Sequence, residues 1–156
     1  MADISRNEKY EPLVKNLTTR KHPETNKVIF PTIMDLLIFS AMVGFRYSKL
    51  EPIAPGALPI PIRIFENNRN DIFIYILALV SSKQMDLLRV KNEEKMYSTF
   101  EQYANGGLSL IQEWMEESPS DTAGDRVLIK KIREELESIQ KRKSSVIKPE
   151  QPDIQF

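Results

Sequence analysis

The chain has 156 residues, 41% hydrophobic and 28% charged, which is enough to enclose one core and ordinary for a globular domain. It has no cysteine, which excludes disulfides and thiolate metal sites, and 22 Lys plus Arg balance 22 Asp plus Glu, which excludes a uniformly basic, phosphate-coating surface. The N-terminus, MADISRNEKYEPL, lacks an apolar signal core, and the longest apolar run, Ile72 to Val80, is far short of the roughly 20 residues a membrane helix needs, so a cytoplasmic protein without membrane contact is expected.

Helical spacing of Tyr10, Leu13, Val14 and Leu17 predicts a first helix over residues 5 to 19, with Pro12 best placed in its first turn. Arg20 to Lys27 is polar and reads as a loop. Val28, Ile29 and Phe30 read either as a short strand or as a plug into the core. Pro31 and Thr32 then open a second helix, apolar on most sides, with Gly44 as its expected stop. Pro52, Pro55, Pro59 and Pro61 break any helix that follows. Leu58, Ile60, Ile62 and Ile64 alternate, predicting an extended segment that its prolines confine to a sheet edge.

Residues 66 to 70, ENNRN, read as a turn, with Asn70 as N-cap of a third helix over residues 71 to 81, for which a buried strand is the rival reading. A fourth helix is predicted over 92 to 104. Asn105-Gly106-Gly107 is expected to bend or interrupt it before Leu108 to Met115 resume. Asp121 opens the last helix, with an apolar stripe of Leu128, Ile132, Leu136 and Ile139. The result is a mainly α domain of about five helices over residues 1–142, with a short Pro-rich edge segment. Residues 143–156 lack periodicity, hold Pro149 and Pro152, and are expected to be a tail.

Chemistry is sparse. His22, the only histidine, lies in a polar loop beside Pro23, with no cysteine or second histidine to build a nucleophilic site on. Phosphate-cradling glycine motifs are absent. Asp86, Glu93 and Lys95 imitate the spacing of a metal-dependent nuclease, but that step belongs on a strand, and helical spacing turns Glu93 and Lys95 apart. Neither a metal nor a cofactor is expected. Arg46 and Lys49 suit a helix C-terminus. Joined with Arg63 and Arg69 beside Asn67 and Asn68, they form a candidate patch for nucleic acid or a partner. Lys141, Arg142, Lys143 and Lys148 form a second basic group, at the end of the last helix.

Three stretches, FPTIMDLLIFSAMVGFRYSKLEPI (30 to 53), IPIRIFENNRNDIFIYILALVSSKQMDLLR (60 to 89) and FEQYANGGLSLIQEWM (100 to 115), together resemble the bacterial DNA phosphorothioation-associated protein 4 family. The resemblance spans about residues 8 to 117 and leaves the last helix unmatched. It implies an accessory protein of a DNA sulfur-modification and restriction system that defends against foreign DNA. Its partners would be proteins of that complex and, on one reading, double-stranded DNA. A stand-alone DNA-binding regulator is the alternative, and a small nuclease a more distant one. Whether the last helix pairs with a copy of itself or closes over the core stays open.

Overall fold

The computed structural model describes residues 2–83 and 89–146. Although Ser5 and Arg6 were expected to begin the first helix, Asp3–Arg6 form a strand, β1. Two properties favour it. Ile4 and Arg6 alternate inward along the pleat, and a partner strand is supplied by β2 (Leu58–Pro61), antiparallel to β1 with Ile4 opposite Ile60. Ile62 donates its N–H to the Ala2 carbonyl. In an alternating strand the nitrogens of Pro59 and Pro61 therefore face away from β1, where no donor is needed. This is the edge role the prolines predicted.

A 3-10 turn at Glu8–Tyr10 leads into α1 (Glu11–Thr19), and Pro12 does occupy its first turn. The Val28–Phe30 segment is a plug and not a strand. Phe30 donates its N–H to the Leu17 carbonyl and packs its ring against Phe39. Then comes α2 (Ile33–Arg46), opened by a reciprocal cap: Thr32 Oγ1 accepts from Asp35 N–H, and the Asp35 carboxylate accepts from Thr32 N–H. Gly44 does not stop this helix; it is buried inside it.

The extended segment ends sooner than expected. Ile62–Asn67 form a short helix, α3, which turns Ile62 and Phe65 into the core, and Phe65 meets Phe100 edge to face. This element was missed because six residues carry too little periodicity to separate one helical turn from an alternating strand. After a turn with Arg69 at φ +56°, α4 (Asp71–Ser82) begins. Asn70 stands at its N-cap position, but its side chain makes no cap; its amide reaches the Met34 sulfur instead.

Helix α5 (Glu93–Glu116) runs unbroken through Gly106-Gly107. The glycines do not bend the helix. They let other backbone approach: a Cβ at Gly107 would lie 1.7 Å from the Ser40 carbonyl oxygen, and one at Gly106 2.0 Å from that of Lys49. Gly44 of α2 has the same role toward Tyr103. Gly44 and Gly107, with Ser40, Ala41 and Ala104 all fully buried, thus make the α2–α5 joint a backbone-to-backbone contact, and Gly106 admits the chain just past the end of α2.

The exposed edge of β1 that β2 leaves free is finished by α5 side chains. Glu101 accepts the Ser5 N–H at 2.6 Å, and Asn105 Oδ1 accepts the Asn7 N–H at 2.8 Å. Asn105 Nδ2 returns bonds to the Ser5 and Glu101 carbonyls. Buried Asn7 also donates to Glu51 and Pro52 and accepts from the Ala54 N–H. Every buried polar side-chain atom among the described residues has a partner.

The last helix, α6 (Asp125–Val146), brings the number of α-helices among the described residues to six. It starts four residues after Asp121, which caps it from outside by accepting the Gly124 and Val127 N–H groups. It also extends past residue 142, where the tail was expected to begin. Residues 147–156 lie outside the described residues, as do Asp86 and Lys148.

Candidate functional site

Among the described residues, helix α6 is fixed at its start and middle only. Val127 and Leu128 are buried. His22 Nε2 lies 3.2 Å from the Asp125 carboxylate, while His22 Nδ1 accepts the Glu24 and Thr25 N–H groups. An imidazole that accepts at Nδ1 carries its proton on Nε2, the nitrogen facing Asp125. The histidine therefore ties the 20–27 loop to the start of α6. Nearly two turns on, the Lys131 ammonium sits 5.4 Å over the Trp114 ring.

The next tie is Glu135. Its carboxylate accepts from Tyr47 Oη at 2.7 Å and from Arg46 Nε at 2.6 Å. Those two hydrogen bonds, Tyr47 first, hold the Glu135 carboxyl below its ordinary range. Desolvation and then Glu135 itself push the Tyr47 hydroxyl up to about 12. The Tyr47 ring meets Trp114 edge to face. Two apolar grooves lie along this contact, about 380 Å³ toward Phe30 and about 200 Å³ toward Tyr47, and they share Phe39, Leu128 and Ile132.

Beyond Glu135 only Ser138 is partly covered. The covered positions Leu128, Lys131, Glu135 and Ser138 define the face of α6 turned to the body. Each is followed by an apolar residue, Ile129, Ile132, Leu136 and Ile139, and these four are 40–55% exposed. One residue is about 100° of helix, so the apolar stripe points roughly a quarter-turn away from the body. The predicted stripe is thereby divided: Leu128 belongs to the core, and Ile132, Leu136 and Ile139 to the surface, with Ile129 and Val146 added. A second exposed apolar face, Ile72, Phe73, Ile76 and Val80, lies on α4.

The six residues of the predicted basic patch occupy two places. Arg46 and Lys49 follow from the end of α2, and Arg46 is engaged by Glu135. Arg63, Asn67, Asn68 and Arg69 lie exposed on α3 and its turn, with Asn68 Nδ2 donating to the Ile64 carbonyl. Asn70, next to Arg69, touches Met34 at the start of α2. Twelve residues of helix, about 18 Å, separate Met34 from Arg46. Arg46 and Arg69 are thus not brought side by side.

Glu93 and Lys95 lie in the first turn of α5, where two-residue spacing directs them apart. Among the described residues no three His, Asp or Glu side chains are grouped to hold a metal ion. Among them, too, no helix is long and apolar enough to cross a membrane.

Sequence reasoning missed the most connected polar cluster, Asn7, Glu51, Glu101 and Asn105. Tyr10 Oη and Lys9 Nζ both reach Glu51. Burial opposes the Glu51 charge, yet bonds from Lys9, Tyr10 and Asn7 outweigh it and leave the carboxyl below its ordinary range. Glu101 has gone the other way: desolvation raises it, only partly offset by the Ser5 N–H. Its one sequence signal is the i, i+4 pair of polar residues on the apolar side of α5. Every bond in the cluster is internal, so it reads as a clasp holding the N-terminal strand.

Comparison with curated proteins and with solved structures returns no match. A family model described as DNA sulphur modification system-associated protein 4 matches residues 3–148. The match is wider than the three stretches that suggest the family in the sequence: it takes in β1 at one end and all of α6 at the other. With all six α-helices and both strands of the described residues inside it, the chain belongs to the DNA sulphur modification system-associated protein 4 family.

Proposed function

We propose that this protein is a non-catalytic adaptor of its DNA sulphur modification system, acting by docking helical surfaces onto other proteins of that system. The observation that carries the reading is the apolar face of α6, left in solvent by a helix that is well tied elsewhere. Large branched side chains at regular spacing on an open helix face are costly to expose and are characteristic of a surface that another protein covers. The polar groups support the same reading, because the best-connected cluster is spent on holding β1 and His22 on holding a loop.

A helix-turn-helix regulator fits less well. α3 and α4 have the required order, but a reading helix presents polar side chains to base edges, and the exposed face of α4 presents Ile72, Phe73, Ile76 and Val80. A DNA contact within the adaptor reading narrows to Arg63, Asn67 and Arg69, exposed together on α3 and its turn, with Lys49 and Arg46 at a separate position. Co-expression of the full chain with the other proteins of the modification system, followed by size-exclusion chromatography, tests the adaptor role. Co-elution with at least one of them is expected. Independent elution from all of them, or metal-dependent DNA cleavage by the pure chain, sinks it. A gel-shift assay with the double variant R63E/R69E tests the DNA contact, which falls if any binding is unchanged.

A further inference from the structure

The free face of α6 has a definite repeat. Ile129, Ile132, Leu136, Ile139, Lys143 and Val146 are spaced 3, 4, 3, 4 and 3 residues apart. This is the heptad seam of a coiled coil, with Ile129, Leu136 and Lys143 at a positions and Ile132, Ile139 and Val146 at d. All six are exposed. The final residues of α6, from Ile139 on, project past the last tie to the body, and an unsupported helical stretch of that length is marginal in water. A seam of this kind gains its stability from a second helix.

The flanks say which helix. Helix α6 carries Arg126, Lys130, Lys131, Arg133, Lys141, Arg142 and Lys143 against Asp125, Glu134, Glu135 and Glu137. Two of those carboxylates are already occupied, Asp125 by His22 and Glu135 by Arg46. The e positions beside the seam are Arg126, Arg133 and Gln140, with Arg142 at a g position. Self-pairing is opposed by these charges. A parallel copy sets Lys143 against Lys143 within the seam; an antiparallel copy turns e toward e, where Arg126, Arg133 and Gln140 offer one another no carboxylate, and its one complementary pair, Glu135 with Arg142, draws on a carboxylate already held by Arg46. DNA would meet the cations but leave the isoleucines uncovered.

We infer that the exposed seam of α6 binds an amphipathic helix of another protein, one with apolar residues in heptad spacing and acidic residues flanking them. The inference rests on the adaptor reading and sharpens it to one surface and one class of partner. Lys143, the lone charge in the seam, sets register by meeting an acidic residue of the partner.

The test uses the full chain and two synthetic peptides of about three heptads, both with Leu and Ile at a and d, one with Glu and the other with Lys at e and g. The chain is expected to remain monomeric in light scattering and to bind the Glu peptide at least about tenfold more tightly than the Lys peptide. I139E is expected to weaken that binding at least about tenfold with unchanged circular dichroism, and R126E/R133E to reverse the preference for the Glu peptide. Equal binding of both peptides overturns the inference. So does a dimer that I139E dissociates, or a DNA duplex that competes with the Glu peptide and whose own binding is unchanged in I139E. In the co-expression experiment, an I139E/V146E chain that still co-elutes with its partners overturns this inference and leaves the adaptor reading standing. Failure of the unaltered chain to co-elute sinks the adaptor reading itself.

Discussion

The α2–α5 joint and the α6 arm are built from opposite materials. At the joint, Gly44, Gly106 and Gly107 remove side chains so that carbonyl oxygens come where a Cβ would stand. On the arm, branched apolar side chains project into solvent at every seam position but Lys143, and only single side chains such as Glu135 and Lys131 hold the helix to its neighbours. Both faces are regular, and regularity alone does not tell a core face from a docking face. The size of the residues does: a face of small residues can be satisfied only by backbone that is already there, whereas a face of large branched residues next to charged flanks accepts a separate helix. Mutations should therefore separate the two regions by what they damage.

The largest effect on stability is expected at the joint. Gly107→Ala puts a methyl group 1.7 Å from the Ser40 carbonyl oxygen, a contact that no rotamer change relieves because both sides are backbone. The helices must separate, and the expected loss is more than about 3 kcal/mol, a fall in thermal midpoint of roughly 6–12 °C. A thermal melt that moves by less than about 2 °C would show that α2 and α5 do not meet there.

Next comes the clasp on β1. Asn105→Ala removes the acceptor of the buried Asn7 N–H and the donor to the Ser5 carbonyl, at a cost of about 1–3 kcal/mol. Urea unfolding checks it, and a midpoint unchanged within error would mean that water replaces the amide. Glu101 separates charge from shape at the same place. Its carboxyl titrates above 4.5 in the folded chain, so the native state binds the proton more readily than the unfolded one. Its contribution to stability is therefore best at low pH and declines as pH rises from 4.5 through the raised value. Glu101→Gln keeps an acceptor for the Ser5 N–H and removes the buried charge. It should raise the urea midpoint at pH 7, with the gain fading below pH 4.5. Glu51 runs the other way: its lowered carboxyl contributes stability above 4.5 that is lost as pH falls through its folded value. A gain from Glu101→Gln that persists unchanged at pH 3 would contradict the desolvation account.

How much of this was readable from the residues alone follows the same division. Long periodic stretches are legible: the helices at 33–46, 71–82 and 125–146 fall close to where the spacing places them, as does the edge strand that Pro59 and Pro61 require. Glycine was misread at Gly44 and at Gly106-Gly107. Sequence shows that a side chain is missing, but a bend, a stop and a close approach all call for the same absence, and only the position of the neighbouring helix decides among them. β1 was hidden because Ile4 and Arg6 alternate over just four residues, and its partner strand lies more than fifty residues away. The clasp was hidden for the same reason, since Asn7 and Asn105 meet across 98 residues of sequence. The predicted stripe on α6 was legible as a stripe. That its first member faces the core and the rest face solvent depended on where Asp121, Trp114 and Glu135 fix the helix about its own axis.

The smallest expected change in stability is the one that best tests the comparison. Ile139→Ser removes a side chain that is 40% exposed and lies outside the buried core, so the isolated chain should move by no more than about 0.5 kcal/mol in either direction. If Ile139 belonged to a core in the way that Ile111 does, the same truncation would cost several times as much, about 2–5 kcal/mol. Its effect on association should be the reverse of its effect on folding, because the apolar area withheld from the fold is the area a partner helix would cover. A thermal melt of the variant within about 2 °C of the parent, together with lost binding of an acidic heptad helix, would identify the seam as surface reserved for another molecule. A large drop in the melt would place Ile139 in the core and make the arm part of the same closed structure as the joint.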